Sequence, residues 1–310
     1  SNAMKNTSSP SNVADKLSAD SDYAPEIEQY FTQEYQLDHL IHTFKKPFVV
    51  WGSGIVMGGG LGMLVGASHR IVTENSRIAM PEISIGLFPD VGGSYFLNKM
   101  PDACGLFLAL TGTSINAADA KYCDIADYFI EQQSKEQLLS KLRTVNWGET
   151  IPLNHEKLSS LLQEFEQNSI SKQPVSLIRE HQGLISKLID KPSLAEIVDA
   201  IVNEETDDKW LSRAQKSLKN GSALSAQLAY LQLQKGRGLS LAECFRMELN
   251  LAVKCGHFGE FKEGVRALLI DKDYSPQWQY PSVDAIDKQI TDWFFDSKWQ
   301  KESHPLAHLV

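Results

Sequence analysis

The run Met57-Gly-Gly-Gly-Leu-Gly-Met-Leu-Val-Gly66 sets four glycines within five residues, Gly58, Gly59, Gly60 and Gly62, where a helix begins. Each glycine in a helix costs about 1 kcal/mol relative to alanine. Four of them require that another backbone or a ligand comes closer to the helix start than a Cβ would allow. Bare N–H groups at the positive end of a helix dipole suit an oxyanion developing on a carbonyl. Tight helix–sheet packing explains the run equally well from these residues alone. The run is not a phosphate loop, since G-x-x-x-x-G-K-S/T is absent, and the dinucleotide fingerprint G-x-G-x-x-G does not fit.

Around this run, short strands alternate with helices. APEIEQYFTQEYQLDHLIHTF carries apolar residues at helical spacing and predicts an amphipathic helix over 24–44. PFVVW reads as a buried strand ending in the turn GSGIV. HRIVT and SRIAM read as two more strands joined by ENS, and a helix is expected to begin near Asp90. DACGLFLALTG and NAADAKYCDIADYFI add two helices and a closing strand, so residues 47–130 suggest an α/β layer with parallel crossovers. From residue 134 the pattern becomes helical, in segments such as HEKLSSLLQEFEQ, SALSAQLAYLQLQKG and SLAECFRMELNLAVKC. The expected organisation is a tag and disordered tail over 1–22, an α/β core over 23–133 and a helical region over 134–310. Ser1-Asn2-Ala3 ahead of Met4 reads as a tag scar.

The stretch IAMPEISIGLFPDVGGSYF holds two carboxylates, Glu82 and Asp90, among apolar and Gly/Pro residues. A carboxylate buried without a partner costs several kcal/mol. Pro81 ends a strand, so Glu82 leaves at a strand tip, where α/β folds commonly place their sites. A plain surface glutamate is the other reading. Asp90, in Pro-Asp-Val-Gly before an apolar helix, also reads as an N-cap.

Thirty basic against 39 acidic side chains give a net charge of -9, which argues against general binding to nucleic acid or anionic membranes. No apolar run reaches the length of a membrane span. Cys104, Cys123, Cys244 and Cys255 form no C-x-x-C pair and read as reduced core thiols of a cytoplasmic protein. The histidines lack metal-ligand spacing, so no metal is expected, and no G-x-S-x-G nucleophile elbow is present.

Taken together, KPFVVWGSGIVMGGGLGMLVGASHRIVTENSRIAMPEISIGLFPDVGGSYFLNKMP resembles the crotonase (enoyl-CoA hydratase/isomerase) superfamily, within it the 3-hydroxyisobutyryl-CoA hydrolases. SLAECFRMELNLAVKC followed by FKEGVRALLIDKDYSPQW resembles the carboxy-terminal signature of that subgroup. The resemblance implies an α/β fold with a crotonase-like core, a spiral of ββα units, and a helical carboxy-terminal region. It implies an acyl-CoA substrate, with coenzyme A as part of the substrate and no separate cofactor. The reaction would be hydrolysis of a short-chain hydroxyacyl-CoA, as in valine catabolism; a homo-oligomer is compatible with the chain.

On the same resemblance, Gly59 matches one backbone donor of the oxyanion hole, with Gly58 and Gly60 beside it as substrate-binding positions. Hydratases carry a first catalytic glutamate three residues later, where this chain has Gly62. Their second glutamate matches Glu82, and the hydrolases add an aspartate at Asp90. The acid pair is therefore the hydrolase pair. Lys272, in LLIDKD, is matched to a CoA phosphate, a solvated surface lysine being its other reading. The family also implies an earlier segment ending in an A-G-G-D-like sequence, which supplies the second oxyanion N–H. Nothing in residues 1–46 resembles it. The expectation is therefore either a longer polypeptide or little hydrolase activity unless another chain completes the pocket.

Overall fold

The computed structural model describes residues 25–310; the expected tag and tail over 1–22 lie outside the described residues. Among the described residues, five short strands are formed by β-branched and apolar runs: β1 (Val49–Gly52), β2 (Ile55–Met57), β3 (His69–Val72), β4 (Arg77–Ala79) and β5 (Tyr128–Phe129). They make two parallel sheets, ordered β1-β3-β5 and β2-β4. Each early unit thus gives one strand to each sheet and then a helical segment, so successive units stack as a spiral.

The helices are α1 (Pro25–Thr43), α2 (Gly59–Gly66), α3 (Gly93–Phe96), α4 (Cys104–Thr111), α5 (Ala117–Tyr122), α6 (Lys135–Thr144) and α7 (Ile151–Ser169). Beyond them come α8 (Leu177–Ile189), α9 (Leu194–Asn203), α10 (Lys209–Asn220), α11 (Ala223–Gly236), α12 (Leu241–Phe258), α13 (Glu260–Val265) and α14 (Lys288–Phe295). Several starts are written plainly in the sequence. Asn116 and Asp119 form a capping box on α5, and Ser240 and Glu243 form one on α12.

Four details differ from the sequence reading. Ile55–Met57, expected as the end of a turn and the first residue of a helical run, is strand β2. The single α/β layer expected is split, with the neighbouring strands β3 and β4 in different sheets. The helix expected near Asp90 begins at Gly93. Helices α8 and α14 had no sequence counterpart; α8 buries Ile178, Ile185 and Leu188 on one stripe despite Gly183 on another face.

One hydrophobic core runs from Phe31 to Leu309 and is shared by the α/β part and the helical part. A smaller cluster, including Ile71, Leu138, Leu158 and Leu162, lies beneath α6 and α7. The four cysteines are free and buried. Helix α1 packs against α2 and α12, with only part of its apolar spacing turned inward. Phe31, Tyr35, Asp38 and Ile41 are buried, while Tyr30, Leu37, Leu40 and Phe44 are exposed. The inward face therefore carries an aspartate, and that choice matters for the site.

Candidate active site

Strands β2 and β4 run parallel with Met57 beside Ala79, so the chain leaves both at one sheet edge. From β2 it enters Gly58–Gly60; from β4 it enters Met80-Pro81-Glu82. Gly58 caps α2, and its carbonyl accepts from the N–H groups of Leu61 (2.8 Å) and Gly62 (3.1 Å). The amides of Gly59 and Gly60 fall in the first turn, where no helical acceptor exists for them. The parallel register thus brings the free amides and Glu82 to one end of the sheet.

Glu82 opens a 3-10 turn (Glu82–Ile85) and is buried, with its Oε2 unpartnered among the described residues. The turn is held from behind by the helical part. A Cβ on Gly264 would collide with the Ile85 backbone, so α13 approaches this turn at a distance only glycine permits. The Ser222 N–H donates to the Ile83 carbonyl at 2.9 Å.

Asp90 is buried as well, and it is not a helix cap. Its Oδ2 accepts from the Tyr35 hydroxyl at 2.9 Å. The cap of α3 is instead provided from α12. The two carboxyl oxygens of Glu248 accept the N–H groups of Gly92 and Ser94, each at 2.8 Å. Between Asp90 and Gly92 sits Val91 at φ +50°, a left-handed conformation rare for a β-branched residue. Burial of Val91 and the grip of Glu248 hold that turn, and Asp90 with it.

Three residues of α1 join this group although the sequence reading assigned them no role. Tyr35 donates to Asp90. Glu34 lies over the glycine run, its Oε1 2.5 Å from where a Cβ on Gly59 would stand. Asp38 lies over Gly62, its Oδ2 2.9 Å from the corresponding Cβ position, and the Val91 Cβ is 2.8 Å from that point. A readable signal existed: Glu34 and Asp38 are like charges at i, i+4, an arrangement that destabilises a helix unless something requires it. The same contacts explain Gly62. Gly62→Ala is expected to cost about 1–3 kcal/mol by overpacking against Val91 and Asp38, read as a lower urea midpoint at unchanged slope.

Glu34, Asp38, Glu82, Asp90 and Glu248 form no ion pair with any described residue. Burial therefore dominates their titration. It pushes Asp38 up to about 8, helped by the charges of Glu34, Asp90 and Glu248. Glu248 is pushed up to about 7 by burial, against the pull of its two N–H donors. Glu82 is raised by burial and then by Asp90; Asp90 is raised by burial and then by Glu34 and Glu248, while the Tyr35 hydrogen bond opposes the rise. Glu34 is raised by burial. The arrangement is a set of carboxyl groups that burial makes reluctant to ionise, with Glu82 beside the first-turn amides of Gly59 and Gly60. That suits general base or nucleophilic chemistry at a carbonyl.

The structure therefore brings together Gly58, Gly59, Gly60, Glu82 and Asp90. Lys272 is exposed at φ +55° beyond the π-helical turn Arg266–Ile270, with no ion pair among the described residues. Among the described residues, no three His, Cys, Asp or Glu side chains are grouped to hold a metal ion.

Two small parallel sheets stacked in a spiral thus bring a glycine-started helix and a buried acid to one sheet edge. The chain belongs to the enoyl-CoA hydratase/isomerase family, whose model matches residues 11–295. Its relatives include the protein named 3-hydroxyisobutyryl-CoA hydrolase, mitochondrial, of Danio rerio, 35% identical over 272 residues (86% of this chain, 69% of that protein). The Homo sapiens protein of the same name is 32% identical over 269 residues (86% and 68%). Among solved structures, an enoyl-CoA hydratase from Rhodobacter sphaeroides aligns with TM-score 0.74 and 28% identity, covering 92% of this chain and 79% of that one. A carnitinyl-CoA dehydratase from Mycobacterium thermoresistibile aligns with TM-score 0.77 and 26% identity (92% and 77%).

Proposed function

We propose that this protein hydrolyses a short-chain hydroxyacyl-CoA thioester, foremost 3-hydroxyisobutyryl-CoA, to the hydroxy acid and CoA, a step of valine breakdown. The observation that carries the reading is the buried Glu82–Asp90 pair beside the Gly59 amide, in a chain whose relatives are named as that hydrolase. The Gly59 N–H polarises the thioester carbonyl. Glu82, once ionised, either attacks it to give a mixed anhydride or takes a proton from the attacking water. Asp90, fixed by Tyr35, orients the water or the substrate's 3-hydroxyl. The CoA thiolate leaves without needing a strong acid.

Hydration of an enoyl-CoA is the competing reading, favoured by the names of the solved neighbours. Gly62 weighs against it, because the first acid expected of a hydratase is missing from α2. Thiol release from 3-hydroxyisobutyryl-CoA, with no water addition to crotonyl-CoA under the same conditions, is the expected result. Absence of thiol release from the full-length protein sinks the hydrolase reading and leaves a non-catalytic CoA-binding role. As for location, several relatives are named as mitochondrial, so the cytoplasmic expectation lacks support from them. Buried free thiols fit any reducing compartment, the mitochondrial matrix included. No helix among the described residues is long and apolar enough to cross a membrane.

A further inference from the structure

We propose that Asp38 is a further catalytic residue of this site, its carboxyl group donating a hydrogen bond to the acyl part of the thioester held by Gly59. The proposal rests on the thioester reading above and adds a residue to it.

Position is the first argument. Asp38 Oδ2 stands 2.9 Å from the Cβ position of Gly62, and Gly62 lies one turn from Gly59 on the same face of α2. A side chain at 62 would enter the site from α2; here the carboxyl enters the same space from α1. Partnership is the second argument. Asp38 is only 2% exposed, and its Oδ2 has no hydrogen-bond partner among the described residues. Tyr35, one turn earlier on α1, already gives its hydroxyl to Asp90. Buried polar atoms without partners are rare in folded proteins and mark places where something else binds.

Surroundings are the third. Glu34 acts on Asp38 from α1, Asp90 from the loop before α3, and Glu248 from α12, while Asp38 in turn raises Tyr30 on α1. His42, one turn further along α1, is kept neutral by burial, which lowers it to about 4. Among the described residues no positive side chain pairs with Asp38, so it keeps its proton up to about pH 8. A neutral carboxyl is a hydrogen-bond donor, which an ionised one is not. Glu82 and Asp38 then divide the labour: Glu82 acts after losing its proton, Asp38 while retaining its own.

The test is the pH dependence of thiol release from 3-hydroxyisobutyryl-CoA for wild type, Asp38→Asn and Asp38→Leu, from about pH 6 to about pH 9.5. Wild-type kcat/KM is expected to fall on the alkaline side near pH 8 as Asp38 ionises. Asparagine donates but does not titrate. That variant should lose less than about tenfold at neutral pH and lack the alkaline fall, whereas leucine should lose about 10²-fold throughout. Melting curves at each pH separate these losses from unfolding; both variants should melt at or above wild type at the alkaline end, since a buried charge is gone. Leucine activity within about twofold of wild type, or an alkaline fall retained by the asparagine variant, overturns the proposal. If wild type releases no thiol, the function reading fails and calorimetry with the same thioester decides for Asp38. Binding weakened about tenfold by leucine but not by asparagine then supports the donor, and equal binding by all three proteins refutes it.

Discussion

Glu82→Gln is expected to lower thiol release by about 10³-fold or more while acyl-CoA binding persists. Glutamine keeps the volume and hydrogen-bonding shape of the protonated side chain, so the 3-10 turn and its backing by α13 are undisturbed. What disappears is the ability to ionise. Because burial and Asp90 both raise Glu82, the wild-type rate should climb with pH until that proton is lost, and the variant should show no such climb. Stopped-flow thiol detection, with calorimetry for binding, gives both numbers. A variant that keeps even a tenth of the wild-type rate removes Glu82 from the chemistry. Loss of binding together with rate would make it a contact residue instead.

Folding stability should decline between about pH 6.5 and pH 8, the reverse of what most carboxylates produce. A carboxyl with a folded pKa above its unfolded one makes the native state bind more protons, so stability is lost as pH rises through the folded value. Asp38, pushed up to about 8, and Glu248, pushed up to about 7, both titrate in this window. Buried histidines act with the opposite sign, since burial lowers His42 to about 4 and also lowers His39, His69 and His304. Their contribution rises with pH only up to the ordinary histidine value, which is why the window opens at about 6.5. Each proton difference changes stability by about 1.4 kcal/mol per pH unit, so the two acids together remove about 2 kcal/mol or more. Thermal melts should show a midpoint lower by about 5 °C at pH 8 than at pH 6.5. Glu248→Gln should flatten the decline. A midpoint that rises over this range would show that these carboxyls are ionised in the native protein.

The two predictions come from one feature, a group of acids with no base among them, and only part of it was legible in the sequence. The glycine run and the Pro-Glu strand tip announced themselves through local cost: four glycines at a helix start, and an acid set among apolar residues. The parallel strands that bring them together were visible as β-branched runs, though the three residues of β2 were too few to separate from a turn. What stayed hidden lay in long-range packing. Which face of α1 turns inward depends on α2 and α12, and apolar periodicity favoured Leu37 and Leu40 over Asp38. The cap on α3 was misassigned for a similar reason. A local motif pointed to Asp90, while the acceptor comes from Glu248, more than 150 residues away along the chain. Sequence reasoning sees caps within a turn of their helix, not those supplied across a core.

The crowding at Gly62 also bears on how such a chain can change over evolutionary time. One small volume admits either a side chain from residue 62 or the carboxyl of Asp38, and Val91 closes the remaining gap. An ancestor or descendant with an acid on α2 would have to give up Asp38, and single steps in either order pass through a clash or a void. Coupled substitutions of this kind make neighbouring activities hard to reach by drift. Libraries that vary 38, 62 and 91 jointly should reach variants that scans of each position alone cannot.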